Sequence, residues 1–577
     1  MSLIQVVAMS IQRFLPCLQW LPHYHRDTFA SDLVAAVVVT VMLIPQSLAY
    51  ALLAGVPAEY GLYASILPLV LYGIFGTSGA LSVAPAAVAS LMTAAALQQL
   101  FVAGSPEYLA GAIVLSVLSG LLLVLMGVFR LGFLANFLSH PVISGFVSAS
   151  GVIIATSQVG HLIGVEAAGH NLLGMGQQLL GHLHQVHWPT LAIGVASLLA
   201  LVAARRGLVP ALVALGLGPR SAGLAAKAAP VMVVALATLA TWAGDLAGDG
   251  VAVVGQVPSG LPTLVMPSLE PGLWQQLFLA ALLIGVVGFV ESISIGQTMA
   301  AKRRQRIDPD QELVALGAAN LGSGFSGAMP VAASFSRSAV NFEAGAATPA
   351  AGVFTAIGIV LAALFLTPLL TELPKAALAA TIIVSVSSLV DLPALVRTWR
   401  YSRADFLAML ATILLTLGHS VEAGILAGVS LSIALFLYRT SRPHTAVLGR
   451  VPGTEHFRNV RRFEVETSER LALLRIDESL YFANARFLEE TVLELAGERP
   501  ELHDVVMVCP AINQIDASAL ESLEAINDRL ADANVRLHLS EVKGPVMDRL
   551  RQTDFLQRLS GEVFLSTYQA WRKLAAA

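Results

Sequence analysis

Lysine and arginine are missing from three long stretches of the sequence: Asp27 to Phe129, Leu131 to Ala204, and Ala228 to Ala301. A surface in contact with water does not go so long without a positive charge, so these stretches are expected to fold inside lipid. Cysteine is also scarce. Cys17 and Cys509 stand far apart, which excludes a disulfide framework and a cysteine-based metal motif. The early positive charge, Arg13, follows the apolar part of the start, the wrong order for a cleavable signal peptide, so the start is expected to be an amphipathic, cytoplasmic lead-in. What remains is a chain of 577 residues, 56% hydrophobic and 12% charged, the composition of a polytopic membrane protein. The net charge of −4 averages two unlike regions and points to no partner.

Spans of about 20 residues, shortened where Gly, Pro and polar residues intervene, fall near 31–52, 58–75, 82–98, 109–128, 141–160, 189–204, 229–244, 275–299, 311–326, 331–345, 350–366, 376–390, 404–418 and 421–438. Positive residues cluster at Arg130, Arg205–Arg206, Lys302–Arg306, Arg397–Arg403 and Arg439–Arg442, always after an even-numbered span. Loops after odd spans carry Glu107, Asp245, Asp249 and Glu270, with Lys375 the one positive exception. By the positive-inside rule both termini are then cytoplasmic. Four regions follow: a lead-in at 1–28, a transmembrane domain at 29–438, a linker at 439–461 and a soluble domain at 462–577. The last reads as α/β, with strands near 462–466, 471–476, 504–509 and 535–540 and amphipathic stretches at 486–497, 517–532 and 544–552. It has no Gly-rich phosphate loop, metal cluster or catalytic triad, so no enzymatic chemistry is expected there.

Two spans are abnormal. The third, "LSVAPAAVASLM", and the tenth, "PVAASFSRSAV", are short, open with small and hydroxyl residues, and follow Gly- and Pro-bearing connectors. Broken helices in lipid are tolerated where protein or a water-filled cavity covers their free backbone groups. At corresponding places in two halves, they predict an inverted-repeat transporter with a midplane site. Two facing half-helix N-termini would aim free N–H groups and positive dipole ends at one cavity, which suits an anion. Ser334, Ser336 and Ser338 can add hydroxyls, and Arg337 supplies a full charge whose alternative role is a structural ion pair. Glu291, midway along the eighth span, is the expected mate of Arg337, a protonatable or cation-binding carboxylate, or both. In the first span Pro45 interrupts the helix, while Gln46 and Tyr50 share one face. Gln158 and Asn320, near span ends, read as interfacially solvated.

The strings "IPQSLAYALLAGVPAEYGLYASILP", "FGTSGALSVAPAAVASLM", "SFSRSAVNFEAGAAT", "LALLRIDESLYFANARFLEE" and "INQIDASALESLEAI", in this order, resemble the SulP sulfate-permease family with its C-terminal STAS domain. The resemblance implies an α-helical membrane protein of fourteen transmembrane segments, arranged as two inverted repeats of seven that form core and gate, plus a cytoplasmic α/β STAS domain. By position, Gln46, Tyr50, Ala84, Ala86, Ala87, Ser336 and Arg337 would line the anion site, and Glu291 would couple transport to a proton or sodium ion. Ala84 stands where many relatives have Gly, and Ala86 where some have a bulkier residue, which alters the pocket's shape. Ser518 falls where soluble STAS proteins carry a phosphorylated serine, although Val508 and Pro510 depart from the pattern of that switch, and a plain serine at a helix start is the other reading. The expected activity is secondary active transport of a small oxyanion, sulfate first, with proton coupling favoured. Alternatives are a sodium-coupled bicarbonate or C4-dicarboxylate carrier, an anion exchanger, or a passive anion channel. The expected setting is the inner or plasma membrane and its lipid, with a homodimer by family analogy and a cytoplasmic regulator at the STAS domain. Cofactors, metals and nucleic acid are not expected.

Overall fold

A computed structural model describes residues 15–137, 139–165, 171–256, 258 and 260–575; the start of the expected lead-in lies outside them. Each expected span meets a helix. These are α1 (Arg26–Leu53), α2 (Glu59–Tyr63, resumed at Leu67–Phe75), α3 (Ala87–Leu97), α4 (Pro106–Val128), α5 (His140–Ile163), α6 (Trp188–Ala203) and α7 (Ala229–Ala243) in the first half. The second half holds α8 (Pro271–Arg303), α9 (Pro309–Phe325), α10 (Phe335–Ala344), α11 (Ala350–Phe365), α12 (Lys375–Val386), α13 (Arg403–Gly418) and α14 (Val421–Ser441). Among the described residues, seven helices are long and apolar enough to cross a membrane by length and composition; α3, α7 and α11 are among the shorter apolar ones. Proline stands in the first turn of α4 through α9, where its missing N–H costs no helix hydrogen bond.

The packing repeats with a period of half the spans. α1 packs on α11 as α8 packs on α4, α2 on α11 as α9 on α4, α1 on α10 as α8 on α3, and α5 on α13 as α12 on α6. This is the signature of two inverted repeats interleaved into a core (α1–α4 with α8–α11) and a gate (α5–α7 with α12–α14). Small residues set the core's closest approach. A Cβ on Gly120 would lie 2.7 Å from the Leu321 nitrogen, and one on Gly317 would lie 2.8 Å from the Gly120 oxygen. The backbones of α4 and α9 therefore touch, as small residues allow between membrane helices. Buried acids tie connectors to the core. Glu312 accepts from Tyr72 Oη at 2.9 Å and from the Thr77 nitrogen at 2.8 Å, while Asp32 accepts from Tyr24 Oη at 3.0 Å and from Thr348 Oγ1 at 2.6 Å.

The chain divides into two compact units between Ser432 and Ile433. The second is built on a six-stranded sheet of order β4-β3-β5-β6-β7-β8, from β3 (Thr445–Arg450), β4 (Phe457–Asn459), β5 (Leu471–Ile476), β6 (Asp504–Val508), β7 (Arg536–Ser540) and β8 (Val563–Phe564). β5 to β8 run parallel, and β3 is antiparallel to both neighbours. α15 (Ala485–Gly497), α16 (Ala517–Asp532) and α17 (Gly544–Leu550) bury Leu488, Val492, Leu523, Ile526 and Val546 in one core. Two expectations are corrected. The stretch 439–461 is not merely a linker, since it holds β3 and β4; their polar flanks, Arg442, His444 and Arg450, masked them in the sequence. The strand expected at 462–466 is reduced to a bridge between Glu466 and Arg450.

Candidate substrate site

The two broken spans meet. β1 (Val83–Ala84) and β2 (Ala332–Ala333) form an antiparallel ladder, Val83 opposite Ala333 and Ala84 opposite Ala332, just ahead of α3 and α10. Side chains from three further places hold this crossing. Asn320 Nδ2 donates to the Val331 oxygen and its Oδ1 accepts from the Val331 nitrogen, each at 3.0 Å. Ser292 Oγ accepts from the Ala333 nitrogen at 3.1 Å, Ser338 Oγ accepts from the Ser82 nitrogen at 3.1 Å, and Asn341 Nδ2 donates to the Ala80 oxygen at 3.1 Å. Both helices then start without a side-chain cap, at Ala86 and Ser334. The first helical bonds run from Ser90 to Ala86 and from Ser338 to Ser334, each 2.9 Å. That leaves the N–H groups of Ala87, Val88 and Ala89, and of Phe335, Ser336 and Arg337, outside the helical ladders at one locus.

Arg337 lies fully buried under this locus. Its Nη1 donates to the Pro85 oxygen at 2.7 Å and its Nη2 to the Ala84 oxygen at 3.3 Å, while Nε is buried without a partner. Among the described residues no carboxylate pairs with it, so the expected ion pair with Glu291 is not formed. Carbonyl oxygens take its two terminal nitrogens but do not balance its charge. Two helix dipoles and one guanidinium thus place positive potential at one buried point, which favours an anion.

The sequence-predicted residues gather here. Gln46 and Tyr50 lie buried on α1, which packs against both α3 and α10, and Gln46 Oε1 has no partner. Tyr50, Ala84 and Ala87 belong to one buried cluster, Ala86 to an adjoining one with Ala89 and Ala332, and Ser336 is half-buried in the first turn of α10. Glu291 is half-buried on α8, next to Ser292, and does not pair with Arg337. It lines a cavity of about 10 Å³ with Val142, Ile143 and Phe146 of α5 and Ile425 of α14, so it looks from the core onto the gate. Sequence reading missed Ser90 and Ser82, whose hydroxyls are buried and unpartnered, and Ser292; serine in a membrane helix carries little signal of its own. Asn320 and Gln158 are buried rather than interfacial.

In the soluble unit Ser518 is exposed in the first turn of α16, but the cap is Asp516, whose Oδ1 accepts from the Ala519 nitrogen at 2.8 Å. Burial pushes the Cys509 thiol up to about 12, which keeps it unreactive. Buried His538 makes an Nε2 contact to Asp504 Oδ1 at 2.9 Å, and its Nδ1 accepts from the Glu562 nitrogen at 2.9 Å. Among the described residues no group of His, Cys, Asp and Glu is arranged to hold a metal.

Half-helices that meet head to head inside interleaved repeats define a membrane transporter of the inverted-repeat class. The chain belongs to the sulfate permease family, whose model matches residues 29–412, and a STAS domain model matches residues 462–570. It is 34% identical over 568 residues to the chloroplastic sulfate transporter 4.1 of Arabidopsis thaliana, covering 96% of this chain and 81% of that one. A probable sulfate transporter of Mycobacterium tuberculosis is 31% identical over 556 residues, covering 95% of this chain and 96% of that one. The fold matches murine Solute Carrier 26 family member A9, an anion transporter solved in the inward-facing state, with a TM-score of 0.89 at 23% identity, over 99% of this chain and 95% of that one. The transmembrane domain of the cyanobacterial bicarbonate transporter BicA matches with a TM-score of 0.59 at 22% identity, over 70% of this chain and 98% of that one.

Proposed function

We propose that the protein is a secondary active transporter of a small inorganic oxyanion, sulfate before bicarbonate or a dicarboxylate, driven by a proton gradient. The observation that carries this reading is the pair of uncapped helix starts above a buried arginine with no carboxylate partner. Relatives named as sulfate transporters support the choice of anion. In this reading the free N–H groups at Ala87 and Ser336 and the amide of Gln46 touch the anion. Arg337 acts through its charge from below, and Tyr50, Ala84 and Ala86 shape the wall. Glu291 sits where the core slides on the gate, so its surroundings change as the core moves; that supports a proton-carrying role. The arginine clusters then face the cytoplasm, with both termini on that side of the inner or plasma membrane. A homodimer and a regulatory contact at the STAS domain, with Ser518 as its exposed modifiable residue, complete the proposal.

The test is uptake of labelled sulfate, bicarbonate and succinate into proteoliposomes under imposed proton or sodium gradients. Saturable, proton-driven sulfate accumulation with counterflow is expected. Sodium dependence would move the coupling to that ion, accumulation of another anion would replace sulfate, and non-saturating flux without counterflow would mean a channel.

A further inference from the structure

A second cavity, of about 310 Å³, opens between core and gate beside the candidate site. Ala49, one turn beyond Gln46 on α1, forms part of its core wall, and Gln158, His161 and Lys375 are the polar members of its gate wall. Among the described residues, no acidic side chain lines it. Yet the loops of this face carry Glu107, Asp245, Asp249 and Glu270, and Lys375 is their lone basic residue. Its placement is specific. The Lys375 nitrogen donates to the Ala252 oxygen at 2.9 Å, Val253 bridges Pro374, and the Val254 nitrogen donates to the Leu373 oxygen at 2.9 Å, so the connector ahead of α8 fixes where α12 begins. Lys375 is half-buried and, among the described residues, has no carboxylate partner.

Resting on the transport reading above, we infer that this cavity is an anion vestibule: Lys375, with Gln158 and His161, collects the oxyanion from the face opposite the arginine clusters and hands it along α1 to Gln46. A basic recess concentrates anions and raises their capture rate, because low-dielectric walls focus the field. The vestibule spans the seam between core and gate, so the lysine belongs to the side that does not carry the anion.

The test uses the full chain in proteoliposomes, with Cys17→Ser to remove the half-buried thiol; Cys509 is buried. Lys375→Cys should lower sulfate influx, measured below half-saturation, by about fivefold to tenfold. A cationic aminoethyl methanethiosulfonate adduct should recover most of it, a sulfonatoethyl adduct should depress it further, and sulfate should slow labelling by the anionic reagent. Influx blind to the sign of the adduct, or a thiol that no reagent reaches, would overturn the vestibule while leaving the transport reading intact. Failure of the unsubstituted protein to move any of the three test anions would overturn both.

Discussion

Arg337 on α10 donates to the carbonyl oxygen of Pro85, 252 residues earlier and in the other repeat, at 2.7 Å. The contact makes the arginine a clamp between the two broken spans as well as a source of charge, and the two roles can be separated.

Arg337→Ala should weaken anion binding by at least about tenfold, or ~1.4 kcal/mol. It should also lower the melting temperature, because two buried carbonyls lose their donors at about 1–3 kcal/mol each. Arg337→Lys keeps the charge but cannot reach both carbonyls as a fork does, so it should bind more tightly than Arg337→Ala yet melt below wild type. Unchanged affinity in Arg337→Ala would remove the charge from the site.

Glu291→Gln should be nearly as stable as wild type, since no ion pair with Arg337 is lost. Exchange of labelled anion should persist while gradient-driven accumulation fails. A variant that still accumulates anion against a gradient takes Glu291 out of the coupling step.

Ser338→Ala leaves the Ser82 N–H, and Ser292→Ala the Ala333 N–H, without the acceptors described above. Each should cost about 1–3 kcal/mol of stability and raise the half-saturating anion concentration. Wild-type melting and wild-type transport together would show that the ladder does not need these serines.

The soluble unit should weaken in mild acid. Burial, the largest influence, holds His538 below its ordinary value, with Arg536 acting the same way against the opposing pull of Asp504 and Glu562. The native imidazole is therefore neutral where the unfolded one, near 6.5, already takes up a proton. Between the native value and about 6.5 the unfolded chain binds more protons, so stability rises with pH there and falls as pH drops below that value. Hydrogen exchange, corrected for its intrinsic rate, should show β8 losing protection as pH falls from 7.5 to 5.5, and His538→Gln should flatten that dependence. A pH-independent β8 in the wild type would count against it.

The spans were legible because charge is so rare in this chain that each arginine cluster fixes a parity, and parity constrains the count better than hydropathy fixes any boundary. The broken spans were legible from their small residues and their connectors. The partner of Arg337 was not: an arginine in lipid suggests an acid, but the oxygens it uses belong to the backbone at Ala84 and Pro85, and a carbonyl leaves no letter in a sequence. Asn320 was misread for a similar reason, since its bonds go to the main chain of Val331. At the soluble end β3 and β4 were lost among charges, and Ser518 drew attention that belonged to Asp516, the residue that caps the helix.

The repeats are alike in path but not in letters, and the difference has an electrical consequence. Arg337 holds the third position of α10, while the third position of α3 is Ala89. The near-symmetric crossing therefore carries one positive charge instead of two. With Glu291 ionised to balance Arg337, the empty site is neutral and adds no net charge to the returning core. Loaded with a divalent anion and one proton, it carries a single negative charge, worth about 2.3 kcal/mol for each 100 mV crossed. A negative-inside potential would then slow the loaded inward step and leave the empty return untouched, so voltage-dependent uptake and voltage-independent return would together report the single arginine.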